Sequence, residues 1–303
     1  MLRTLILALG ANPVLRAAAR RYGLRLGARR FVAGEAWPEA AAVVRALNRD
    51  GIAATVDVLG EAMANPAEWD AARDRYLAVL AGIAAEGLDA HVSLKLTMFG
   101  LSAGPSEAEQ HVRPVVAQAA AQGSFVRIDM EASEWTDLTL DLYRRLSFDY
   151  PAQVGVVLQA YLYRTRHDLD RLSDRPRNFR IVKGAYREPK DRAFPRKADV
   201  DRNYGALVKT ALDRGHYVAI ATHDASLITE LEAWIRARGI GPDRYEFQML
   251  YGIRYPLLQH LRARGHRCRV YVPFGRDWYP YFVRRMAERP ANLWFVLRAL
   301  AER

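Results

Sequence analysis

Short apolar runs alternate with segments of helical periodicity from residue 51 onward. The runs are rich in β-branched and aromatic residues, and they cover residues 54–59, 91–97, 125–130, 154–160, 179–182, 217–221, 245–250 and 268–272. Longer segments with apolar residues at helical spacing lie between them, at 66–86, 107–121, 199–212 and 227–238. The strands are apolar enough to be covered on both faces. This alternation therefore predicts an α/β fold, a (β/α)8 barrel in one domain.

A barrel of this kind carries its chemistry at the carboxyl-terminal ends of the strands. Polar residues stand at or near these ends, or along the seventh run: Lys95, Asp129, Glu131, Gln159, Lys183, Thr222, His223, Asp224, Glu246 and Gln248. Lys95 and Lys183 are two of only five lysines, and an unpaired charge in an apolar strand is costly to bury. We expect Asp129, one strand over, to pair with Lys95. The pair is either a structural plug or part of a binding site.

The last predicted helix carries an unusual group of side chains in "YPYFVRRMAERP", residues 279–290. Helical spacing places Tyr281, Arg284, Arg285 and Glu288 on one face. One interpretation is a solvated basic helix with a salt bridge. The other is an anion clamp, because one glutamate cannot neutralise two guanidinium groups and a small carboxylate or phosphate could take its place.

Composition narrows the class of protein. Half of the 303 residues are apolar, which is ample for a large core, and the single cysteine, Cys268, excludes an internal disulfide and suits the cytoplasm. The net charge of +11 would normally suggest a nucleic-acid partner. Only five of the 45 basic residues are lysine, so the charge indicates a chain-wide arginine bias, and we expect no nucleic-acid binding.

The N-terminal segment is strongly basic. Seven arginines and no acidic residue occur within residues 1–30, and the apolar stretch at 5–9 is too short to span a bilayer. We expect a basic helical arm over residues 1–50, followed by a barrel catalytic domain over 51–303. The arm either lies on an anionic membrane surface, on the inner face of the cell membrane, or packs on the domain as an ordinary helix.

Common catalytic motifs are missing from the chain. His223 in "ATHD" could be a metal ligand or a base, but no second ligand stands at metal-binding spacing, so we expect no metal. There is no GxSxG elbow, Walker loop or GxGxxG fingerprint after a strand. A nucleotide cofactor, if one binds, does not occupy a Rossmann crevice.

Eight segments together resemble one family. "VSLKLTMFG", "RIDMEAS", "LQAYLYRT", "RIVKGAYRE", "ATHD", "EFQMLYG", "YVPFG" and "YFVRRMAE" are similar, in order and spacing, to the flavin-dependent proline dehydrogenases. The resemblance implies a distorted TIM-like barrel whose last helix lies over the barrel mouth. The resemblance is to the monofunctional bacterial enzymes. It therefore implies that Δ1-pyrroline-5-carboxylate dehydrogenase is a separate downstream enzyme.

The resemblance also implies an activity. FAD would oxidise L-proline to Δ1-pyrroline-5-carboxylate by accepting hydride at N5, and a membrane quinone would take the electrons. Arg284 and Arg285 would bind the proline carboxylate, with Glu288 holding the pair and Tyr281 closing the pocket. Lys95 would pair with Asp129 and help the site favour the neutral amine.

Family contacts to FAD carry over to nine positions, which are Gln159, Arg180, Lys183, Gly184, Tyr186, Thr222, His223, Glu246 and Gln248. Asp224 and Ala132 depart from residues common in the family. Tyr271 implies a preference for L-proline over hydroxyproline, because hydroxyproline-preferring relatives have a smaller residue there. The alternatives are another flavin barrel, such as a folate-linked reductase, and a basic RNA-binding protein.

Overall fold

Eight parallel strands close into a barrel in strict sequence order. The computed structural model describes residues 28–60 and 63–288, and the barrel runs from β1 to β8 with β8 paired to β1. The strands are β1 (Ala53–Val58), β2 (Ala90–Leu94), β3 (Val126–Ile128), β4 (Val154–Gln159), β5 (Asn178–Val182), β6 (Tyr217–Ala221), β7 (Tyr245–Leu250) and β8 (Cys268–Phe274). All eight predicted strands are present, and the predicted barrel is confirmed.

Nine α-helices occur in the described part of the chain. They are α1 (Trp37–Arg49), α2 (Pro66–Ala85), α3 (Pro105–Ala121), α4 (Thr136–Asp149), α5 (Thr165–Arg171), α6 (Lys197–Asp213), α7 (Ala225–Ala237), α8 (Tyr255–Ala263) and α9 (Trp278–Glu288). The four helices predicted by periodicity are α2, α3, α6 and α7, each within two residues at either end. In α2 the start is fixed locally, since Pro66 follows Asn65, whose Oδ1 accepts the Glu68 amide at 3.1 Å.

The two strand-end lysines lie just outside their strands. Lys95 follows Leu94, the last residue of β2, and Lys183 follows Val182, the last residue of β5. Both lysines thus lie at the carboxyl-terminal ends of their strands, as the sequence predicted. At these positions the side chains retain 23% and 26% of their exposure, which lowers the cost of burying a charge.

The barrel interior is polar well below its mouth. Thr55 Oγ1 and His91 Nε2 lie 2.8 Å apart, and Arg127 Nη1 donates to the Asn178 carbonyl at 2.8 Å. Arg127 is fully buried, and burial lowers its pKa to about 9. The outward-facing strand residues are apolar and form the main core with the surrounding helices. Ionic and hydrogen-bonded pairs, in place of layers of aliphatic side chains, therefore fill the barrel.

Helix α1 takes the place beside β8 that the last helix of a regular barrel would hold. It packs against β1 and β8, and the Trp37 ring meets the Phe274 ring edge-on at 6.2 Å. Three buried residues near the start of α9 belong to a second apolar cluster, with Ala28, Val32 and Leu59. Leu59 follows the last residue of β1, so α9 packs at the carboxyl-terminal end of the barrel.

Much of the predicted N-terminal arm, residues 1–27, lies outside the described residues. Its described part ends in α1, which forms part of the barrel wall. Within residues 28–60 and 63–288, no helix combines the length and the apolar character needed to cross a membrane.

Candidate active site

An ammonium group between two carboxylates marks the carboxyl-terminal end of the barrel. Lys95 Nζ lies 2.9 Å from Asp57 Oδ1 and 3.5 Å from Asp129 Oδ2. The structure thus contains the predicted Lys95–Asp129 pair, but the nearer partner is Asp57, which sequence reasoning missed. Asp57 is 1% exposed, and a lone carboxylate in the apolar run 54–59 is the same signal that identified Lys95.

Lys95 and Asp129 stay ionised together. Burial acts to lower the pKa of Lys95, but the nearby carboxylates outweigh it and hold that pKa well above its ordinary value. Burial acts in the opposite direction on Asp129, where Lys95 and Arg180 prevail and lower the pKa of the carboxyl. The site therefore holds an ammonium and a carboxylate at neutral pH.

Asp129 is the acceptor on which several side chains converge. It accepts hydrogen bonds from Ser93 Oγ at 2.7 Å, Tyr271 OH at 2.8 Å and Arg180 Nη1 at 2.8 Å. Burial raises the pKa of Tyr271 well above its ordinary value, so the phenol keeps its proton and donates. Lys95 Nζ donates to the same phenol oxygen at 3.4 Å. Three residues expected at the site, Lys95, Asp129 and Tyr271, are thus in direct contact.

A second chain of contacts runs from Arg180 down into the barrel. Arg180 Nε donates to Gln248 Oε1 at 2.7 Å, and Gln248 Nε2 donates to Glu246. Glu246 is paired with Arg269 Nε at 2.9 Å, which holds the pKa of this carboxyl below its ordinary value against the effect of burial. Glu246 therefore lies one layer deeper than Gln248. Arg269 is a further residue that the sequence did not single out.

Gln159, at the end of β4, links the loops after two neighbouring strands. Its Nε2 donates to the Met130 carbonyl at 3.3 Å and the Glu131 carbonyl at 3.2 Å. The Glu131 carboxyl accepts from Thr97 Oγ1 at 2.6 Å, and burial raises its pKa. Glu131 therefore connects the loops that follow β2 and β3.

Among the buried polar atoms without a hydrogen-bond partner in the described residues, two belong to expected cofactor contacts. They are Arg180 Nη2, a donor, and Gln159 Oε1, an acceptor. Both side chains are about 3% exposed. A buried polar group without a partner costs about 1–3 kcal/mol, so these two atoms, which lie at expected cofactor positions, are candidates for hydrogen bonds to a ligand.

Lys183 belongs to a cluster of four charges at the ends of β5 and β6. Its Nζ lies 2.9 Å from Asp224 Oδ2 and 2.5 Å from Asp201 Oδ1, and Lys197 pairs with both acids. Hydrogen bonding to Lys183 lowers the pKa of Asp224. Asp224 also caps α7 by accepting the Ser226 amide at 3.2 Å.

The remaining expected cofactor contacts surround this cluster. Thr222 Oγ1 accepts the Asp224 amide at 3.2 Å, and His223 Nε2 accepts the Leu250 amide at 3.0 Å. This contact requires an unprotonated Nε2, so His223 is neutral. Gly184 has φ of +112°, and a Cβ there would meet the Tyr161 ring at 2.3 Å, so only glycine fits. Tyr186 is 41% exposed.

Helix α9 carries the residues of the predicted anion clamp, of which Tyr281 and Arg285 have described side chains. Tyr281 is 7% exposed, and the Arg285 guanidinium carbon lies 5.2 Å from the centre of its ring. The side chains of Arg284 and Glu288 lie outside the described residues, so the pairing expected between them stays a prediction.

The barrel matches known proteins along its length. The proline dehydrogenase family matches residues 40–298. Proline dehydrogenase 1 of Bacillus subtilis subsp. natto is 42% identical over 303 residues, which is 100% of both chains. Proline dehydrogenase of Deinococcus radiodurans is 43% identical over 302 residues, covering 98% of this chain and 97% of the relative.

A solved structure shows the same architecture. The crystal structure of proline utilization A from Bdellovibrio bacteriovorus, inactivated by N-propargylglycine, matches with a TM-score of 0.82 at 25% identity, over 91% of this chain and 34% of the longer one. These matches decide against the folate-linked reductase and RNA-binding alternatives. The chain belongs to the proline dehydrogenase family.

Proposed function

We propose that this chain uses FAD to oxidise L-proline to Δ1-pyrroline-5-carboxylate, as the first step of proline catabolism, and passes the electrons to a membrane quinone. Family membership supports the substrate and the reaction class. The polar cluster at the carboxyl-terminal end of the barrel supports the location of the site.

The unpartnered atoms of Arg180 and Gln159 are the observation that carries the flavin part of the proposal. The pyrimidine edge of an isoalloxazine presents both hydrogen-bond acceptors and one N–H donor. The chain offers a buried donor, Arg180 Nη2, and a buried acceptor, Gln159 Oε1, that the protein leaves unsatisfied. The residues present therefore fit the group. When bound, FAD supplies the hydride acceptor, N5.

The phosphate-bearing part of the cofactor has its candidate contacts near β5 and β6. Lys183 supplies positive charge, Thr222 a hydroxyl and Gly184 a close backbone approach. His223 is held in place at this end of the barrel by the Leu250 amide, which its Nε2 accepts. Lys183 already forms ion pairs with Asp224 and Asp201. A phosphate that binds here would therefore either share the Lys183 ammonium with these carboxylates or displace one of them.

Charge in the site explains how the substrate amine could lose its proton. Hydride leaves readily only from the neutral amine, so the site must disfavour the ammonium form. Lys95 and Arg180 are balanced by Asp57 and Asp129, two cations against two anions. The excess positive charge must therefore come from the arginines of α9, which would also bind the carboxylate.

The proposed acceptor and membrane contact rest on the basic N-terminal segment. Seven arginines and no acidic residue in residues 1–30 would attract an anionic lipid surface. Salt weakens such attraction. Vesicle binding that is absent at low ionic strength, or that is unchanged after deletion of residues 1–27, would rule out this role.

An anaerobic titration tests the central proposal. The purified protein should show a flavin absorption spectrum, release FAD on denaturation, and bleach on addition of L-proline. Bleaching by NADPH but not by L-proline would instead indicate a reductase. The matched variants are Gln159→Leu and Gln159→Glu. The first removes the unpartnered acceptor and should weaken FAD binding by about 10-fold, whereas the second keeps an acceptor and should bind more tightly than the first.

A further inference from the structure

Helix α9 is attached to the molecule through the segment that precedes α1. The Ala33 amide donates to the Pro273 carbonyl at 2.8 Å, and the Gly275 amide donates to the Gly34 carbonyl at 3.0 Å. These bonds fix the turn between β8 and α9, where Gly275 has φ of +129°. The second apolar cluster, defined by Ala28, Val32, Leu59, Trp278, Tyr279 and Tyr281, continues the contact along the helix.

One side-chain hydrogen bond joins the first residue of α9 to this segment. Trp278 is fully buried, and its Nε1 donates to Glu35 Oε1 at 3.0 Å. Its ring also packs edge-on against Phe282 at 5.9 Å. A buried indole N–H needs an acceptor, so Glu35 determines the depth and rotation at which this large ring is most stable.

Glu35 is itself held in place. Its amide and the Ala36 amide donate to Glu39 Oε2 at 2.8 and 3.3 Å, at the start of α1. The preceding residue is Gly34, at φ of +103°, where a Cβ would overlap the Glu39 carboxyl. Since α1 packs on β1 and β8, the backbone of Glu35 is fixed relative to the barrel, and its exposed side chain reaches Trp278 from there.

The binding residues of α9 follow Trp278 on one helical face. Tyr281 and Arg285 lie at i+3 and i+7 from Trp278, which places all three side by side. Arg285 stacks on Tyr281 at 5.2 Å. An α-helix moves as a rigid rod over this length, so a shift or rotation at Trp278 carries both residues with it.

We infer that Glu35 and Trp278 are positioning residues that set where the substrate-binding face of α9 sits over the barrel. The inference rests on the proposed role of α9 in binding the proline carboxylate. Glu35 touches no substrate in this proposal. It acts through Trp278, and hence through the placement of Arg285 and Tyr281.

Kinetics of paired variants test this link. Glu35→Ala removes the acceptor, whereas Glu35→Gln keeps a carbonyl oxygen for the indole. We expect the KM for L-proline to rise about 3- to 10-fold in Glu35→Ala with kcat within about twofold of the wild type, and Glu35→Gln to stay close to the wild type. The control is Arg29→Ala, which removes an exposed ion pair with Glu39 in the same segment and should leave KM unchanged.

A double-mutant cycle with Trp278→Phe separates positioning from general destabilisation. The Glu35→Ala and Trp278→Phe effects on KM should not add, because both remove the same hydrogen bond. Additive effects, equal KM values in Glu35→Ala and wild type, or equal losses in the Gln and Ala variants would overturn the inference.

Hydrogen exchange gives a readout that does not need turnover. Amides of residues 278–288 should exchange faster in Glu35→Ala than in the wild type or Glu35→Gln, while amides of β1 to β8 are unchanged. Unchanged exchange at 278–288 would contradict the positional link. If L-proline fails to reduce the wild-type protein, the proposed function fails, yet the exchange comparison still decides whether Glu35 positions α9.

Discussion

Asp57 Oδ1 lies 2.9 Å from Lys95 Nζ, closer than Asp129 Oδ2 at 3.5 Å. The two carboxylates differ in their other hydrogen-bond partners. Asp57 bonds the ammonium at the wall of β1, while Asp129 also accepts from Tyr271 and Arg180. Asp57 therefore keeps Lys95 charged and in place, while Asp129 orders the side chains around the proposed substrate position.

We expect Asp57→Asn to affect stability more than catalysis. Removing the Asp57 charge leaves the partly buried Lys95 ammonium with only the Asp129 carboxylate, 3.5 Å away, so the free energy of unfolding should fall by about 1–3 kcal/mol. Asp129→Asn is the matched variant, and it should lower kcat/KM further than Asp57→Asn because it disturbs Tyr271 and Arg180. Urea unfolding and steady-state kinetics measure both effects. A wild-type unfolding midpoint for Asp57→Asn would show that the pair contributes no stability.

The clamp proposed on α9 gives a prediction about substrate affinity. Arg285→Met should raise the KM for L-proline by about 10- to 100-fold while flavin content stays normal, because it removes a charge-assisted hydrogen bond to the carboxylate. Arg284→Met should act in the same direction. Arg267→Met, at an exposed arginine just before β8 and hence at the opposite end of the barrel, is the control. Unchanged proline affinity in both α9 variants would exclude the clamp.

The strands and the mouth of the barrel could be predicted because their signals are local. Each strand is a short apolar run, and the carboxyl-terminal strand ends of a parallel barrel meet at one face. The sequence alone therefore predicts that Lys95, Asp129 and Gln159 lie at the same end of the barrel. The family resemblance supplied the roles, which spacing alone left open. The same reasoning could have identified Asp57, because it is a lone acid in an apolar run.

Other features depend on distant parts of the chain. Arg127 and Arg269 fill the barrel interior, but in a chain with 40 arginines neither stands out from the solvated majority. The Trp278–Glu35 bond joins residues 243 positions apart, and no periodicity identifies such a partner. The position of α1 beside β8, where the last helix of a regular barrel would lie, likewise depends on how the ends of the chain pack.

Buried His216 gives a prediction of acid sensitivity. Burial and the nearby arginines lower its pKa to about 4, and its Nδ1 accepts the Arg177 amide at 3.1 Å, so the folded protein holds it neutral. In the unfolded chain a histidine binds a proton near pH 6.5. The folded state therefore binds fewer protons than the unfolded state between about pH 6.5 and pH 4, and its stability must fall as the pH drops through that window.

The variant that tests this pH dependence is His216→Gln, whose side chain can still accept and donate hydrogen bonds but does not titrate. It should reduce the loss of unfolding free energy between about pH 6.5 and pH 4 by up to about 2–3 kcal/mol. Part of the slope should remain, since burial also lowers the pKa of His91. His260→Gln, at an exposed position, is the control. An unchanged slope in His216→Gln would contradict the assignment.

Substrate choice should depend on the bulk of Tyr271. Its phenol donates to Asp129 at 2.8 Å and its ring lies 5.2 Å from the Arg180 guanidinium carbon, so the ring is held on two sides and cannot easily move aside. An added hydroxyl pressed on this ring would clash and would lose its hydration without gaining a partner. The wild type should therefore favour L-proline over trans-4-hydroxy-L-proline.

Two variants of Tyr271 test this preference. Tyr271→Ser should narrow the difference in kcat/KM between the two substrates, mainly by weakening the binding of proline. Tyr271→Phe keeps the ring, so it should keep the discrimination while losing the contact to Asp129. Steady-state kinetics with both substrates on all three proteins decide the matter. Equal catalytic efficiencies in the wild type, or discrimination lost equally in the Phe and Ser variants, would show that ring bulk does not select the substrate.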